Sequence, residues 1–287
     1  MIPSAALLEW GAASRRDLPW RRTRDPWLVL VSELMLQQTQ VARVVPLFER
    51  FALRFPTPAV CAVAEVGDVV RSWAGLGYNR RAVNLHRAAV AIVACHAGSL
   101  PDDLDALLAL PGVGPYTARA VLAFAFERDV GVVDTNAARV LARTNGRALD
   151  RREVQTLADG AVPTGRGWEW NQAVLDLGAT VCTSRSPGCP RCPLSATCGW
   201  QRAGCPTPDP ARGSAGTSRG QSRFEGSDRQ GRGRLVAALR RDGRLAPERL
   251  ASEAGWPDDP VRTATAVASL VRDGLALEAP DGSISLP

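Results

Sequence analysis

The sequence predicts an all-α protein, with a short β hairpin only near the end of its 287 residues. Apolar residues recur at helical spacing through most of the first 200 residues, and few runs alternate as strands do. A composition of 45% hydrophobic and 22% charged residues is typical of a globular chain long enough for two domains. We therefore expect helical domains with a substantial apolar core.

The predicted helices follow one another closely in the first 200 residues. Helical periodicity covers residues 26–54, 68–76, 79–98 and 103–110, and then, after the stretch LPGVGPYTA, residues 118–126, 135–144 and 169–182. No run of 18 uncharged apolar residues occurs, and the N-terminal stretch lacks the basic start and cleavage site of a signal peptide. We expect an intracellular protein with no membrane partner.

The composition changes after residue 200. Residues 201–232 are rich in Pro, Gly, Ser and Arg, with seven Arg from Arg202 to Arg234, and predict a flexible basic linker. Residues 233–287 then carry three short helical patterns and a hairpin turned by Asp281-Gly282. Three helices followed by a hairpin is the order of a winged helix, so we predict a small winged-helix-like domain there.

The basic residues suggest a polyanionic partner. The formal net charge is +6, and all 35 basic residues are Arg. A mildly basic protein that binds nothing acidic is also common, so the charge alone does not decide. A chain without Lys has no side-chain amine that could form a Schiff base.

One carboxylate, Glu33, lies in the apolar run VLVSELML. A carboxyl group in apolar surroundings avoids the cost of desolvating its charge by keeping its proton. Glu33 is therefore a candidate proton donor, and an acid paired with a buried Arg is the structural alternative.

Four of the seven cysteines fall within 17 residues, at Cys182, Cys189, Cys192 and Cys198, with the spacing C-x6-C-x2-C-x5-C. Disulfides are not expected in an intracellular chain. Structural zinc commonly uses two closely spaced ligand pairs, and only Cys189 and Cys192 form one here. A compact loop of four thiolates suits a 4Fe-4S cluster, with zinc as the alternative.

The stretch LPGVGPYTA joins two predicted helices through Gly112, Val113 and Gly114. Glycines can present successive backbone N–H groups, and the start of the next helix adds its positive dipole end, so the turn could hold a phosphate. A plain glycine-rich turn between helices is the structural alternative. A P-loop is excluded because no Lys follows.

A second acid, Asp134, lies where an apolar run meets a predicted helix. Its ordinary role would be to cap that helix. Together with Glu33 it could divide the work of glycosidic bond cleavage, with one carboxyl group protonating the leaving group and the other stabilising a cationic sugar.

Taken together, these residues resemble the endonuclease III superfamily of helix-hairpin-helix DNA glycosylases, and within it the MutY-type adenine DNA glycosylases. The resemblance runs from about residue 17 to 198 through DLPWR, SELMLQQTQV, WAGLGYNRRAVNLHRAA, LPGVGPYTA, VVDTN and the cysteine loop. It implies a six-helix barrel domain at 21–130, a cluster domain formed by 1–20 and 131–200, and a 4Fe-4S cofactor.

The resemblance also assigns roles in the family's reaction. Glu33 matches the acid that protonates adenine, Asp134 the carboxylate that stabilises the sugar cation, and Asn136 the residue that orders the site. Tyr116 stands where bifunctional relatives carry a Schiff-base Lys. The DNA-contacting positions are Arg16, Gln38, Tyr78, Gly112, Val113 and Gly114, with Gln38 and Tyr78 as wedge residues that enter the base stack when adenine is flipped out.

The implied function is removal of adenine opposite 8-oxoguanine or guanine, without lyase activity, in base excision repair. We expect a monomer acting on duplex DNA at the bacterial nucleoid. Two features depart from the family. Asn79 stands where a second Tyr is frequent, and no Nudix-like domain is recognisable after the cysteines, as in short actinobacterial members. The alternatives are a thymine or uracil mismatch glycosylase, which typically lacks the acid at Glu33, and a non-catalytic iron–sulfur DNA-binding regulator.

Overall fold

The computed structural model describes residues 2–214 and 223–287, which form two compact units. Of the described residues, unit 1 contains 2–29, 102–105 and 114–214, and unit 2 contains 30–101, 106–113 and 223–287. The described residues are mostly helical, which confirms the predicted all-α class. None of their helices is long and apolar enough to cross a bilayer.

Unit 1 is built from six helices within its described residues. These are α1 (Ser4–Ser14), α8 (Pro115–Phe124), α9 (Thr135–Asn145), α10 (Arg151–Ala161), α11 (Gly167–Thr180) and α12 (Gly199–Arg202). α1 packs closely on α11, because a β-carbon at Gly11 would lie only 2.6 Å from the Ala173 β-carbon. α10 begins with a capping box, in which Asp150 and Glu153 each accept the other's backbone N–H.

Four helices of unit 2 come from the predicted barrel region, namely α3 (Val41–Arg54), α4 (Pro58–Ala62), α5 (Val66–Ser72) and α6 (Arg80–Cys95). Phe51 of α3 meets Trp73 edge to face, with ring centroids 5.9 Å apart, and both side chains are fully buried. α2 (Pro26–Leu36) and α7 (Leu104–Leu108) each begin in unit 1 and end in unit 2.

The predicted helical stretch at 26–54 is two helices rather than one. α2 ends at Leu36 and α3 begins at Val41. Between them, Gln38 takes a left-handed backbone conformation with φ of 54°, which a continuous helix cannot contain. The polar run QQTQ occupies this break, where apolar periodicity is lost.

Residues 223–287, called the tail below, contain the three predicted helices and the predicted hairpin. The helices are α13 (Asp228–Asp242), α14 (Pro247–Ala254) and α15 (Pro260–Arg272), and the hairpin strands are β2 (Leu277–Glu278) and β3 (Ile284–Ser285). A third strand, β1 (Arg244–Leu245), was not predicted. The antiparallel sheet has the order β1-β3-β2, with Leu245 opposite Ile284 and Glu278 opposite Ile284.

The predicted flexible linker at 201–232 contains ordered structure at both ends. α13 begins at Asp228 because Ser227 caps it by accepting the N–H of Gln230. Earlier in the linker, Asp209 forms a 2.6 Å ion pair with the buried Arg143, and a turn of 3-10 helix follows at Pro210–Gly213. Both parts therefore belong to folded units, whereas the linker's middle, at 215–222, lies outside the described residues.

Candidate functional site

Glu33 lies in α2 and is only 4% exposed. Its neighbours along the helix, Ser32 and Leu34, are equally buried. The side chain of Glu33 is therefore buried, as its position in the apolar run led us to expect. A carboxyl group so placed has lost most of its hydration, which favours the protonated form.

A buried guanidinium that the sequence analysis did not single out, that of Arg81, holds the chain that follows Glu33. Its Nη1 donates to the carbonyl oxygens of Leu34, Met35 and Gln37 at 2.7, 2.9 and 2.6 Å. Leu34 and Met35 lie in the last turn of α2, where carbonyls lack the usual helical partners, and Gln37 follows the helix. Burial lowers the pKa of Arg81 to about 10, so the group remains cationic at neutral pH.

The same side chain also holds the loop of residues 75–79, called the wedge loop below. Arg81 Nη2 donates to the carbonyl oxygens of Leu76 and Gly77 at 3.2 and 3.0 Å, and to Thr39 Oγ1 at 3.0 Å. Arg81 thus joins the two segments that carry the predicted wedge residues Gln38 and Tyr78. Most of its acceptors are backbone carbonyls, so no sequence signal singled out Arg81.

Both predicted wedge residues have unusual backbone conformations. Gln38 has φ of 54° and Tyr78 has φ of 45°, in the left-handed region that non-glycine residues rarely adopt. Gln38 is exposed, and the Tyr78 side chain is 38% exposed although it is a large aromatic. Strained, exposed residues of this kind concentrate at functional sites.

The glycine turn also has special geometry. Gly112 has φ of 80°, and a β-carbon there would lie 2.7 Å from the Asn84 β-carbon, so only glycine fits. The Val113 N–H donates to the Leu110 carbonyl at 3.1 Å and closes the turn. Gly114 caps α8, and Tyr116 is its second residue. The Val113 side chain is buried, so a phosphate would meet backbone here rather than this side chain.

Asp134 caps α9, as its ordinary role predicted. Its Oδ1 accepts the Ala137 N–H at 2.7 Å, and its Oδ2 accepts the Asn136 side-chain amide at 2.8 Å. Burial raises the pKa of Asp134 above its usual range, and this outweighs the lowering effect of those bonds and of the Arg139 charge. The bond that Asn136 donates fixes the orientation of the Asp134 carboxylate, and by itself this bond favours the ionised form.

Asn136 is itself held by two contacts from elsewhere in unit 1. Arg139 Nη2 donates to Asn136 Oδ1 at 2.8 Å, and the same guanidinium donates to the carbonyl oxygens of Gly178 and Cys182 at 2.6 and 2.7 Å. A β-carbon at Gly178 would lie 2.7 Å from the Asn136 β-carbon. The close approach of α11 therefore depends on Gly178.

The four predicted cysteine ligands lie around one pocket. Its lining includes Cys182, Cys189, Cys192 and Cys198, together with Arg143, Leu177, Leu194 and Trp200. Arg143 Nη1 lies 3.4 Å from Cys182 Sγ. Burial, and after it the electrostatic influence of Cys182, Cys198 and Cys189, raise the pKa of Cys192 to about 11. A bound cationic group would stabilise these four sulfurs as thiolates, which is the form that binds a metal.

Arg16 has a structural partner in unit 1. Its Nε donates to Asp176 Oδ1 at 2.6 Å, and Arg21 donates to both oxygens of the same carboxylate at 2.7 and 2.9 Å. Asp176 is 1% exposed. Burial alone would raise the pKa of Asp176, but these bonds and the charges of both Arg hold it below its usual range.

The predicted site residues divide between the two units. Unit 1 brings Asp134 and Asn136 into contact, and also contains the four cysteines, Arg16, Gly114 and Tyr116. Unit 2 contains Glu33, Gln38, Tyr78, Gly112 and Val113. Within unit 2, Arg81 links the segments of Gln38 and Tyr78 to the end of the Glu33 helix.

The sequence and the fold are both similar to those of known DNA repair proteins. Residues 31–163 match the HhH-GPD superfamily of base excision DNA repair proteins. The adenine DNA glycosylase of Mycolicibacterium smegmatis is 43% identical, over 99% of this chain and 96% of its own length. The human adenine DNA glycosylase is 40% identical, over 67% of this chain and 38% of its own length.

Two solved structures share the fold. A thermostable thymine-DNA glycosylase superposes with a TM-score of 0.65 at 28% identity, over 70% of this chain and 95% of its own. Endonuclease III in a trapped covalent complex with DNA superposes with a TM-score of 0.59 at 24% identity, over 71% of this chain and 100% of its own.

Proposed function

Because the chain belongs to the HhH-GPD superfamily, and within it to the adenine DNA glycosylases, we propose that it removes adenine paired with 8-oxoguanine or guanine. It is a DNA N-glycosylase of base excision repair. The burial of Glu33 is the observation that carries this proposal, because an acid that keeps its proton can protonate a departing adenine. We place the enzyme on duplex DNA at the nucleoid, acting as a monomer.

In the proposed reaction, Glu33 gives its proton to a ring nitrogen of adenine, which makes the base a better leaving group. The glycosidic bond then breaks with its electron pair going to adenine, and the sugar becomes cationic. Asp134 in its ionised form stabilises that cation until water adds to the sugar carbon and loses a proton, which completes the hydrolysis. Its hydrogen bond from Asn136 supports this role, because a bond donated to a carboxylate favours ionisation.

Adenine must leave the base stack before this chemistry can occur. We assign Gln38 and Tyr78 to the stack during that step, since both are exposed on strained backbone held by Arg81. The turn at Gly112–Gly114 contacts the DNA backbone, where two glycines and the buried side chain of Val113 let a phosphate approach the backbone closely. We also assign Arg16 to DNA contact. Its Nε donates to Asp176, which fixes the position of the guanidinium.

The reaction proposed is hydrolysis only, without strand cleavage. A Schiff base needs an amine, the chain has no Lys, and Tyr116 stands where relatives with lyase activity carry one. Borohydride should therefore trap no covalent adduct through a side chain. Trapping that survives blockage of the N-terminal amine would contradict this part of the proposal.

For the cysteine pocket we propose a 4Fe-4S cluster held by Cys182, Cys189, Cys192 and Cys198. The four cysteines line one pocket, and only Cys189 and Cys192 form a closely spaced pair, which supports a cluster over structural zinc. A zinc ion needs its four sulfurs within 2.3 Å of one point, whereas a cluster takes one thiolate on each iron and spaces them further apart. A bound cluster would fix the loop that ends at Cys198.

The function is tested by measuring base release from duplexes carrying adenine opposite 8-oxoguanine, guanine, cytosine or thymine. We expect release of free adenine from the first two only. Release of thymine or uracil from mismatches would favour the thymine or uracil mismatch glycosylase. Binding without release of any base would favour the non-catalytic regulator.

The cofactor is tested separately by elemental analysis of protein purified without oxygen. We expect about four irons per chain and a brown colour, as four thiolates of one cluster require. Stoichiometric zinc in a colourless protein would contradict the cluster.

A further inference from the structure

The tail is docked on helices of the same unit by specific polar contacts. Arg240 of α13 donates through Nε to the Val70 carbonyl at 2.9 Å and through Nη2 to Asn79 Oδ1 at 2.8 Å. The Gly67 N–H donates to the Pro287 carbonyl at 2.7 Å. A β-carbon at Gly67 would lie 2.7 Å from that same oxygen, so the approach requires glycine. The tail is therefore fitted against α5 and the residues that follow it.

Two side chains of the tail contact the wedge loop. Arg240 holds the side chain of Asn79. Arg229 contacts Tyr78, the residue before Asn79. Its Nη1 lies 3.3 Å from the Tyr78 hydroxyl oxygen, and its Cζ lies 6.0 Å from the Tyr78 ring centroid. Tail side chains thus contact adjacent residues of the loop, one of which is the predicted wedge.

The charges of the tail do not suit a surface that binds DNA. Residues 223–287 contain ten Arg and ten Asp or Glu, so their formal charges cancel. Half of those Arg form ion pairs with acidic residues of the tail itself, namely Arg232, Arg241, Arg244, Arg249 and Arg262. A domain that adds phosphate contacts needs an excess of unpaired positive charge.

We propose that the tail positions the wedge loop, with Arg240 as the main positioning residue through Asn79 and Arg229 orienting the Tyr78 side chain. This inference rests on the proposed function, in which Tyr78 enters the base stack when adenine is flipped out. It gives the tail a role in base flipping and opposite-base selection without contact between the tail and the base being read. It also accounts for Asn79 at a position where the family frequently has Tyr. The carboxamide oxygen of Asn79 accepts the bond from Arg240, and the longer Tyr side chain carries its oxygen elsewhere.

The backbone of Tyr78 explains why the loop needs such support. A non-glycine residue at φ of 45° is strained and persists only where its surroundings determine its conformation. Arg81 holds the carbonyls of the loop, and Arg240 holds its last side chain. With Arg240 removed, the loop loses one of these two anchors and can relax away from the strained conformation.

The geometry of Arg240 sets the variants to be compared. Its two bonds leave from Nε and Nη2 toward different residues, which a Lys ammonium cannot reproduce. Arg240→Ala and Arg240→Lys should therefore behave alike, as should Asn79→Ala. Arg241→Ala is the matched control, because Arg241 follows on the same helix but pairs with Asp242 and Glu253 inside the tail.

The first measurement, hydrogen exchange of the wedge-loop amides in the free protein, does not depend on activity. We expect faster exchange at residues 75–79 in Arg240→Ala and unchanged exchange in Arg241→Ala, with equal thermal stability of the barrel helices in both. Unchanged exchange in Arg240→Ala would overturn the proposal even if the wild-type protein excised no base.

The second measurement follows base flipping and excision. With 2-aminopurine at the target position opposite 8-oxoguanine, Arg240→Ala should show a reduced fluorescence rise, and its single-turnover release of adenine should fall about tenfold, short of the ~100-fold that a 1 Å misplacement can cost. Binding of undamaged duplex, and the salt dependence of that binding, should not change. The double variant with Asn79→Ala should be no worse than either single variant.

The outcomes separate the proposal from the proposed function. An active wild type whose Arg240→Ala variant excises normally would refute the positioning role alone. Loss of affinity and of salt slope in Arg240→Ala, with excision from the bound complex unchanged, would show instead that the tail binds phosphate. A wild type that releases no adenine would refute the proposed function, while hydrogen exchange would still decide the positioning.

Discussion

Gly178→Ala should damage the candidate site through Asn136 without touching any proposed catalytic group. The added β-carbon would lie 2.7 Å from Asn136 Cβ and 2.9 Å from the Asn136 carbonyl oxygen. Asn136 must move by about 0.7 Å before the first contact reaches 3.4 Å, where ordinary contact begins. A shift of that size is enough to misalign the 2.8 Å bond from Asn136 to Asp134.

Two opposing effects set the magnitude for stability. Overpacking a close helix contact costs about 1–3 kcal/mol. Replacing a helical Gly by Ala gains about 1 kcal/mol from the unfolded chain and the helix. We therefore expect a net loss of about 0–2 kcal/mol in the free energy of unfolding. Excision should fall by about 10- to 100-fold, because catalysis tolerates misplacement of this size poorly.

Gly160→Ala is the matched control, since Gly160 lies within helix α10 of the same unit and an added β-carbon meets nothing within 4 Å. It should be as stable as the wild type or more so, with normal excision. Urea unfolding and single-turnover release of adenine opposite 8-oxoguanine measure the two effects. Wild-type excision in folded Gly178→Ala would refute the argument that α11 positions Asn136.

Three further predictions concern single side chains. Asn136→Ala removes a bond that lowers the pKa of Asp134, so the loss of excision on acidification should begin at higher pH than in the wild type, measured as a pH–rate profile. Asp176→Asn leaves buried Arg21 without its ion pair and should cost about 3–5 kcal/mol in urea unfolding. Because the pKa of Asp176 is held below its usual range, that difference should persist at neutral pH and shrink below about pH 3.9, as the wild-type carboxylate is protonated. Arg81→Lys should destabilise the protein and lower excision together, since an ammonium cannot serve the six oxygen acceptors that Arg81 Nη1 and Nη2 reach.

Local chemistry in the sequence predicted most helices but not all. α9 and α11 carry strong apolar periodicity and lie where predicted. α1 is made largely of Ala and Ser around a Gly that allows close packing, so its apolar pattern is weak. α10 was also missed, although Asp150 and Glu153 carry the capping-box spacing that could have revealed it.

The site was predictable where chemistry is local and not where distant residues meet. The burial of Glu33 and the capping by Asp134 follow from residues within one helical turn. Arg81 acts on carbonyls more than 40 residues away, and backbone carbonyls leave no mark in the sequence. The docking of Arg240 on Asn79 spans 161 residues, so the role of the tail could not be read from its own pattern.

The central claim is that Glu33 supplies the proton that releases adenine. Glu33→Gln keeps the shape of the side chain and removes its acidic proton, and general acid catalysis is worth about 10²- to 10⁴-fold in rate. Single-turnover release of adenine from a duplex with adenine opposite 8-oxoguanine should fall by about that factor, while duplex affinity stays within about threefold. Near wild-type release by a folded Glu33→Gln protein would contradict the account.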